Sequence, residues 1–229
     1  MATDRVTAVL EVLLCSGFPT QALVVGMLAA AGWRPVAPLT LSYVVALSLI
    51  DSVVLVALIV TFIRLRGERV SEVFLGGRPV VAEAAAGVPL IFAALAIGIG
   101  ILTLLRMVAP GLHDVEQNPL EALIATPRDA ALFAIVVVVA GGIREELQRA
   151  FLLRRFERQL GGPIVGVIVA SAVFGAGHRV QGADAAIATA LLGAFWAVVY
   201  LRRRSSVAPM VSHGLFNTLE VLLITAVRR

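Results

Sequence analysis

Seven apolar runs, at about 6–31, 39–63, 82–108, 129–158, 163–178, 183–201 and 207–227, take up most of this sequence. Each except the fifth reaches or exceeds the ~20 residues that a helix needs to cross a bilayer. Hydrocarbon offers no water to backbone N–H and C=O groups, so runs of this length fold as helices that satisfy their own backbone. A transmembrane barrel would alternate apolar and polar positions in short segments, and this chain does not. The hydrophobic share of 59% and the mean hydropathy of +0.96 agree, since soluble domains are nearer half apolar. The expectation is an all-α polytopic membrane bundle of about seven to eight transmembrane helices. No internal repeat or low-complexity linker divides it, so residues 1–229 read as a single integral membrane domain.

The arginines set an orientation. Arg64, Arg66, Arg69 and Arg78 follow the second run, Arg154, Arg155 and Arg158 end the fourth, and Arg202, Arg203 and Arg204 follow the sixth. By the positive-inside bias these loops are cytoplasmic, which places the N-terminus inside and the C-terminus outside; the expected location is the plasma (inner) membrane. The loop with Asp114, Glu116 and Glu121 fits the outside, and Arg228 and Arg229 are the discordant signal. The same bias, with lipid phosphates, accounts for the net charge of +4, so membrane lipid is an expected partner and nucleic acid is not.

Smaller features give further expectations. The fourth run is too long for one span, so Arg154, Arg155 and Arg158 should emerge into water or headgroups. The segment from Arg64 to Pro79, with Val70, Val73, Phe74 and Leu75 as its apolar members, reads as an interfacial helix. Asp51 is a lone carboxylate facing protein or an interface, with no partner by spacing. His113 reads as solvated. Glu11 and Pro19 interrupt the first run, so it is expected to be retained rather than cleaved as a signal. Cys15, the one cysteine, excludes an internal disulfide and reads as packing.

Chemistry concentrates in Gly141-Gly142-Ile143-Arg144-Glu145-Glu146-Leu147-Gln148-Arg149-Ala150-Phe151, which continues directly from an apolar run. Ionisable groups at membrane depth are costly and usually functional. Glu145 and Arg149 are four apart and Glu146 and Arg149 three apart, so either carboxylate can pair with the guanidinium while the other binds water as a general base. The i to i+4 orientation favours Glu145 as the partner of Arg149. Phe174 and His178, and then His213 and Asn217, each lie four apart on later helices. An imidazole and an amide on one face can hold a water or donate to a developing oxyanion. Rises of ~1.5 Å per residue let these three faces converge at intermediate depth, in a cavity expected to face the cytoplasm.

The Glu-Glu pair with its following Arg and Ala-Phe-Leu-Leu, the Phe-x-x-x-His and the His-x-x-x-Asn, in that order over about 129–225, resemble the CPBP intramembrane protease family. This family, also called Abi or CAAX protease, includes the Ras-converting enzyme. The resemblance implies a helical bundle that cleaves a peptide bond of a membrane-associated, in some cases prenylated, protein or peptide. Carried over, Glu145 activates water, Glu146 and Arg149 support it, His178 also handles water, and His213 and Asn217 stabilise the oxyanion, with Phe174 supporting. Zn²⁺ is a possible cofactor, through Glu145, His178 and His213, although no HExxH arrangement is present.

One departure stands out. The family pattern has three residues between the second Glu and the Arg, whereas Glu146 and Arg149 enclose only Leu147 and Gln148. Counting back from Arg149 puts Arg144 where the catalytic Glu belongs, unless altered local winding restores the arrangement. Two other functions therefore stay open: a non-catalytic scaffold or immunity factor, and a proton-coupled carrier using Glu145 and His178.

Overall fold

The computed structural model describes residues 2–35 and 39–227. All regular structure among them is helical. Eleven α-helices occur: α1 Ala2–Leu14, α2 Phe18–Ala30, α3 Leu41–Leu65, α4 Val70–Phe74, α5 Val80–Gly87, α6 Leu90–Val108, α7 Pro127–Val136, α8 Glu145–Gln159, α9 Pro163–Gly177, α10 Ala183–Arg203 and α11 Val207–Val227. A π-helical segment, Val137–Arg144, joins α7 to α8 without a loop. Arg228 and Arg229 lie outside the described residues.

Among the described residues, four helical units are long and apolar enough to cross a bilayer, α3, α5 with α6, α10 and α11, or five if the bent pair α1 and α2 is one span. α5 and α6 form one 29-residue span interrupted at Pro89, whose ring cannot continue the i to i−4 ladder. The first apolar run is a bent pair rather than one helix, since α1 and α2 meet at 47° across Cys15–Gly17. Gly17 takes φ +95°, a left-handed conformation that glycine adopts without a Cβ penalty. Large apolar side chains face outward, as lipid-facing positions do, among them Phe92 at 72% exposure and Ile164 at 75%.

Local chemistry fixes the ends. Thr40 caps α3 by accepting from Tyr43 N–H at 3.3 Å. Thr126 and Asp129 form a reciprocal capping box ahead of Pro127 at the start of α7. The loop before it holds two short 3₁₀ turns, Pro110–Leu112 and Glu121–Leu123. Arg204 ends α10 in the left-handed region and donates to both oxygens of Glu157 at 2.6 and 2.7 Å.

The ends of α3, α8 and α10 come together at one face of the bundle, with the starts of α5 and α11, and this face carries the arginine clusters. It is more buried than the sequence suggests. Arg155 is 0% exposed, held by Glu11 and Glu68, instead of lying in water or headgroups. Arg203 clasps buried Glu83 through two bonds of 2.6 and 2.9 Å. The amphipathic segment forms only the single turn α4. Its Val73 and Phe74 enter the largest apolar core with Leu55, Ile59, Phe151 and Tyr200, so they face protein rather than lipid.

At the opposite face lie the starts of α3, α7 and α10, and the ends of α6, α9 and α11. His113 is not simply solvated there, because its Nδ1 lies 2.9 Å from Asp184 Oδ2.

Candidate active site

The site forms where the π-helical segment and α8 pass α11. Val137 to Val139 are β-branched and Gly141-Gly142 has no side chain, so the α-helical preference of this stretch is weak. The two glycines also let α11 approach closely. A Cβ at Gly142 would lie 2.8 Å from Gly214 Cα, so the backbones pass with nothing between them. A π turn closes i to i+5 and takes in one more residue than an α turn, which displaces the face presented by everything after it. The altered winding thus precedes Glu145. Between Glu145 and Arg149 the helix is regular, and the two-residue spacing persists.

The two glutamates have different surroundings. Glu146 is 2% exposed, and its Oε1 serves two partners: it accepts from Arg149 and lies 2.8 Å from His213 Nδ1. Arg149 therefore pairs with Glu146, three residues back, and not with Glu145 as the i to i+4 rule favours. The reason is tertiary. Arg149 lies over the Phe174 ring at 4.6 Å and within 5.8 Å of Trp196, and His213 fixes the carboxylate from α11. Glu145 lines the main cavity, and its ion contacts, to Arg144 Nη1 and His213 Nε2, are both 3.8 Å, beyond hydrogen-bond reach.

Aromatic rings fix the imidazoles. His213 stacks on Trp196 at 3.8 Å and 15°, and Phe174 meets it edge-on at 6.0 Å. The Trp196 indole N–H donates to Ser212 at 3.2 Å, locking the platform. Phe174 also packs 4.7 Å from the His178 ring, so it stands between the two histidines. His178 Nδ1 lies 2.8 Å from the Phe174 carbonyl, which directs its donor to backbone and leaves Nε2 as the nitrogen for chemistry. Asn217 donates to the Val137 carbonyl at 3.3 Å, and its amide carries a second N–H.

All seven residues named from the sequence belong to this centre. Glu145, Arg149, Phe174, His178, His213 and Asn217 line one cavity of about 780 Å³, and Glu146 sits behind them. Among the described residues, no group of three His, Cys, Asp or Glu side chains is placed to hold a metal ion. Glu145, His178 and His213 are accordingly not placed together as a Zn²⁺ ligand set.

Three contributors escape sequence reasoning. Asp51 on α3 pairs with Arg144, 93 residues away. Gln148 donates to the Cys15 carbonyl at 2.8 Å, which ties the α1–α2 break to α8. Trp196 supplies the stacking platform from inside an apolar run. Only Asp51 gave a signal, as a carboxylate at membrane depth.

No curated protein and no solved structure matches this chain. A family model does match: residues 127–219, which contain all seven site residues, fit the one described as Type II CAAX prenyl endopeptidase Rce1-like, a match consistent with the CPBP (CAAX protease) family.

Proposed function

We propose that this integral membrane protein is an endopeptidase in which Glu145 activates water to attack a peptide bond of a membrane-associated protein or peptide. One observation carries the assignment. Glu146 Oε1 is taken by both Arg149 and His213, while Glu145 faces the cavity with Arg144 and His213 beyond hydrogen-bond distance. A carboxylate free to take a proton is what a general base requires. Arg149 stays protonated, so it holds Glu146 rather than exchanging protons with substrate.

His213 then has a defined task. Its Nδ1 faces Glu146, so the ring donates to an oxyanion through Nε2 when both nitrogens carry protons. The second N–H of Asn217, one helical turn further along α11, is the companion donor. His178 shares the water with Glu145.

Glu145→Gln and Glu146→Gln keep side-chain volume and remove the ionisable group. With a quenched peptide in detergent, Glu145→Gln is expected to abolish turnover. Loss confined to Glu146→Gln would reassign the base, and full turnover in both would end the glutamate mechanism. The two-residue gap between Glu146 and Arg149 favours a second reading, a non-catalytic scaffold or immunity factor, and wild-type protein inactive on every peptide offered is its expected result.

A further inference from the structure

We infer that the site draws its substrate from the membrane face opposite the arginine clusters, so that it acts on peptides reaching the membrane from outside the cytoplasm. This deepens the protease reading, on which the word substrate rests.

The cavity runs in one direction. From Glu145 and His213 it passes Val137, Phe133 and Leu192 and ends among Glu116, Asn118 and Gln181. Those last three belong to the loops after α6 and α9, and Arg106 and Glu220 complete a polar rim. A cavity that mixes apolar walls with polar groups along its length, within the usual ligand-pocket volume of roughly 300–1,000 Å³, suits an extended peptide, whose backbone needs polar partners while its side chains pack on the walls.

Toward the arginine face the path is closed. The largest buried core, with Leu55, Ile59, Phe151, Leu153, Ala197 and Tyr200, fills the space between the glutamates and that face. Beyond it lies the ion network of Arg155 with Glu11 and Glu68. A separate groove on the arginine side ends at Leu147 and Met210 and includes none of the seven site residues.

The expectation of a cytoplasmic N-terminus and that of a cavity facing the cytoplasm therefore separate. Asp4 of α1 pairs with Arg66, so α1 begins at the arginine face, and the cavity mouth is at the other. The positive-inside bias decides between them, because it acts on arginines in short loops and is indifferent to where a cavity opens. Arg64, Arg66, Arg69, Arg78, Arg154, Arg155, Arg158 and Arg202 to Arg204 all gather at one face.

The test reads orientation without needing activity. In a Cys15→Ala background, single cysteines replace Glu116 or Gln181 at the mouth and Arg69 or Arg158 at the arginine face. Bacterial spheroplasts are treated with a membrane-impermeant maleimide, before and after permeabilisation. Labelling of the mouth positions in intact spheroplasts, with Arg69 and Arg158 positions labelled only after permeabilisation, is the expected result. Any other pattern overturns the inference. A second arm uses inverted and right-side-out vesicles with a quenched peptide: cleavage only by right-side-out vesicles is expected, and cleavage only by inverted vesicles overturns it. Expected labelling with no cleavage in either vesicle would overturn the peptide-substrate claim and locate the fault in the protease reading, leaving the orientation intact.

Discussion

Asp51 and Arg144, 93 residues apart in sequence, form a buried ion pair midway along α3, and that pair engages the cation nearest to Glu145. Arg144 lies 3.8 Å from Glu145 and has two carboxylates within reach. Asp51, with a side chain 2% exposed, takes it. The contact gives Arg144 a counterion from the N-terminal third of the chain.

Asp51→Asn should therefore lower kcat, by roughly tenfold or more, with little change in KM, because Arg144 is released to pair with Glu145 and compete with its role as base. Adding Arg144→Gln should recover most of the lost turnover at equal thermal stability. A purely structural Asp51 would lower stability and kcat together, and the second change would then restore neither independently.

Arg149→Ala leaves Glu146 buried without its cation. Breaking a buried pair from one side costs about 3–5 kcal/mol, so a large fall in thermal stability in detergent is expected. The loss should exceed that from Arg69→Ala, whose contact to Glu72 is exposed. Equal melting temperatures for the two variants would contradict the buried network.

The arginine face makes a pH prediction. Burial opposes ionisation of Glu68, but hydrogen bonds and charges from Arg155, Arg154 and Arg158 outweigh it and hold the carboxyl below its ordinary value of 4.5. A depressed folded-state pKa stabilises the fold above the unfolded value and is lost as pH falls through the folded one. The stability gap between wild type and Glu68→Gln, measured by thermal melts, should be full at pH 7 and shrink below about pH 4.5. A gap that does not change with pH would show that Glu68 acts through packing alone.

How much of this was legible in the sequence follows from the range of each interaction. The helices were, because apolar run length is a local property that the bilayer reads directly. The faces Phe174/His178 and His213/Asn217 were, because four residues make one turn. Which glutamate holds Arg149 was not: spacing favoured Glu145, and the decision came from His213, 67 residues away on α11. The Asp51–Arg144 pair and the burial of Arg155 against Glu11 likewise depend on helices meeting at a distance in sequence that periodicity does not encode. Gly17 shows the same limit. Its left-handed φ breaks the first span, yet in sequence it is one glycine in an apolar run.

The last prediction concerns the close crossing that assembles the site. A Cβ at Gly142 would lie 2.8 Å from Gly214 Cα and 3.1 Å from Gly214 N, and these are backbone atoms that no rotamer change can move. Gly142→Ala must therefore push α11 away from the π-helical segment. Overpacking of this kind costs about 1–3 kcal/mol. Helix propensity alone would make the change favourable by up to ~1 kcal/mol, so a net loss isolates the crossing. Gly100→Ala is the control: nothing lies within 4 Å of its Cβ position, and it should be neutral or stabilising. Separation of α11 also draws His213 from Glu146 and Asn217 from the Val137 carbonyl, contacts of 2.8 and 3.3 Å. Turnover should then fall further than stability accounts for at temperatures well below the melting point. Gly142→Ala with wild-type melting and turnover would mean that the two helices cross with more room than their backbones show.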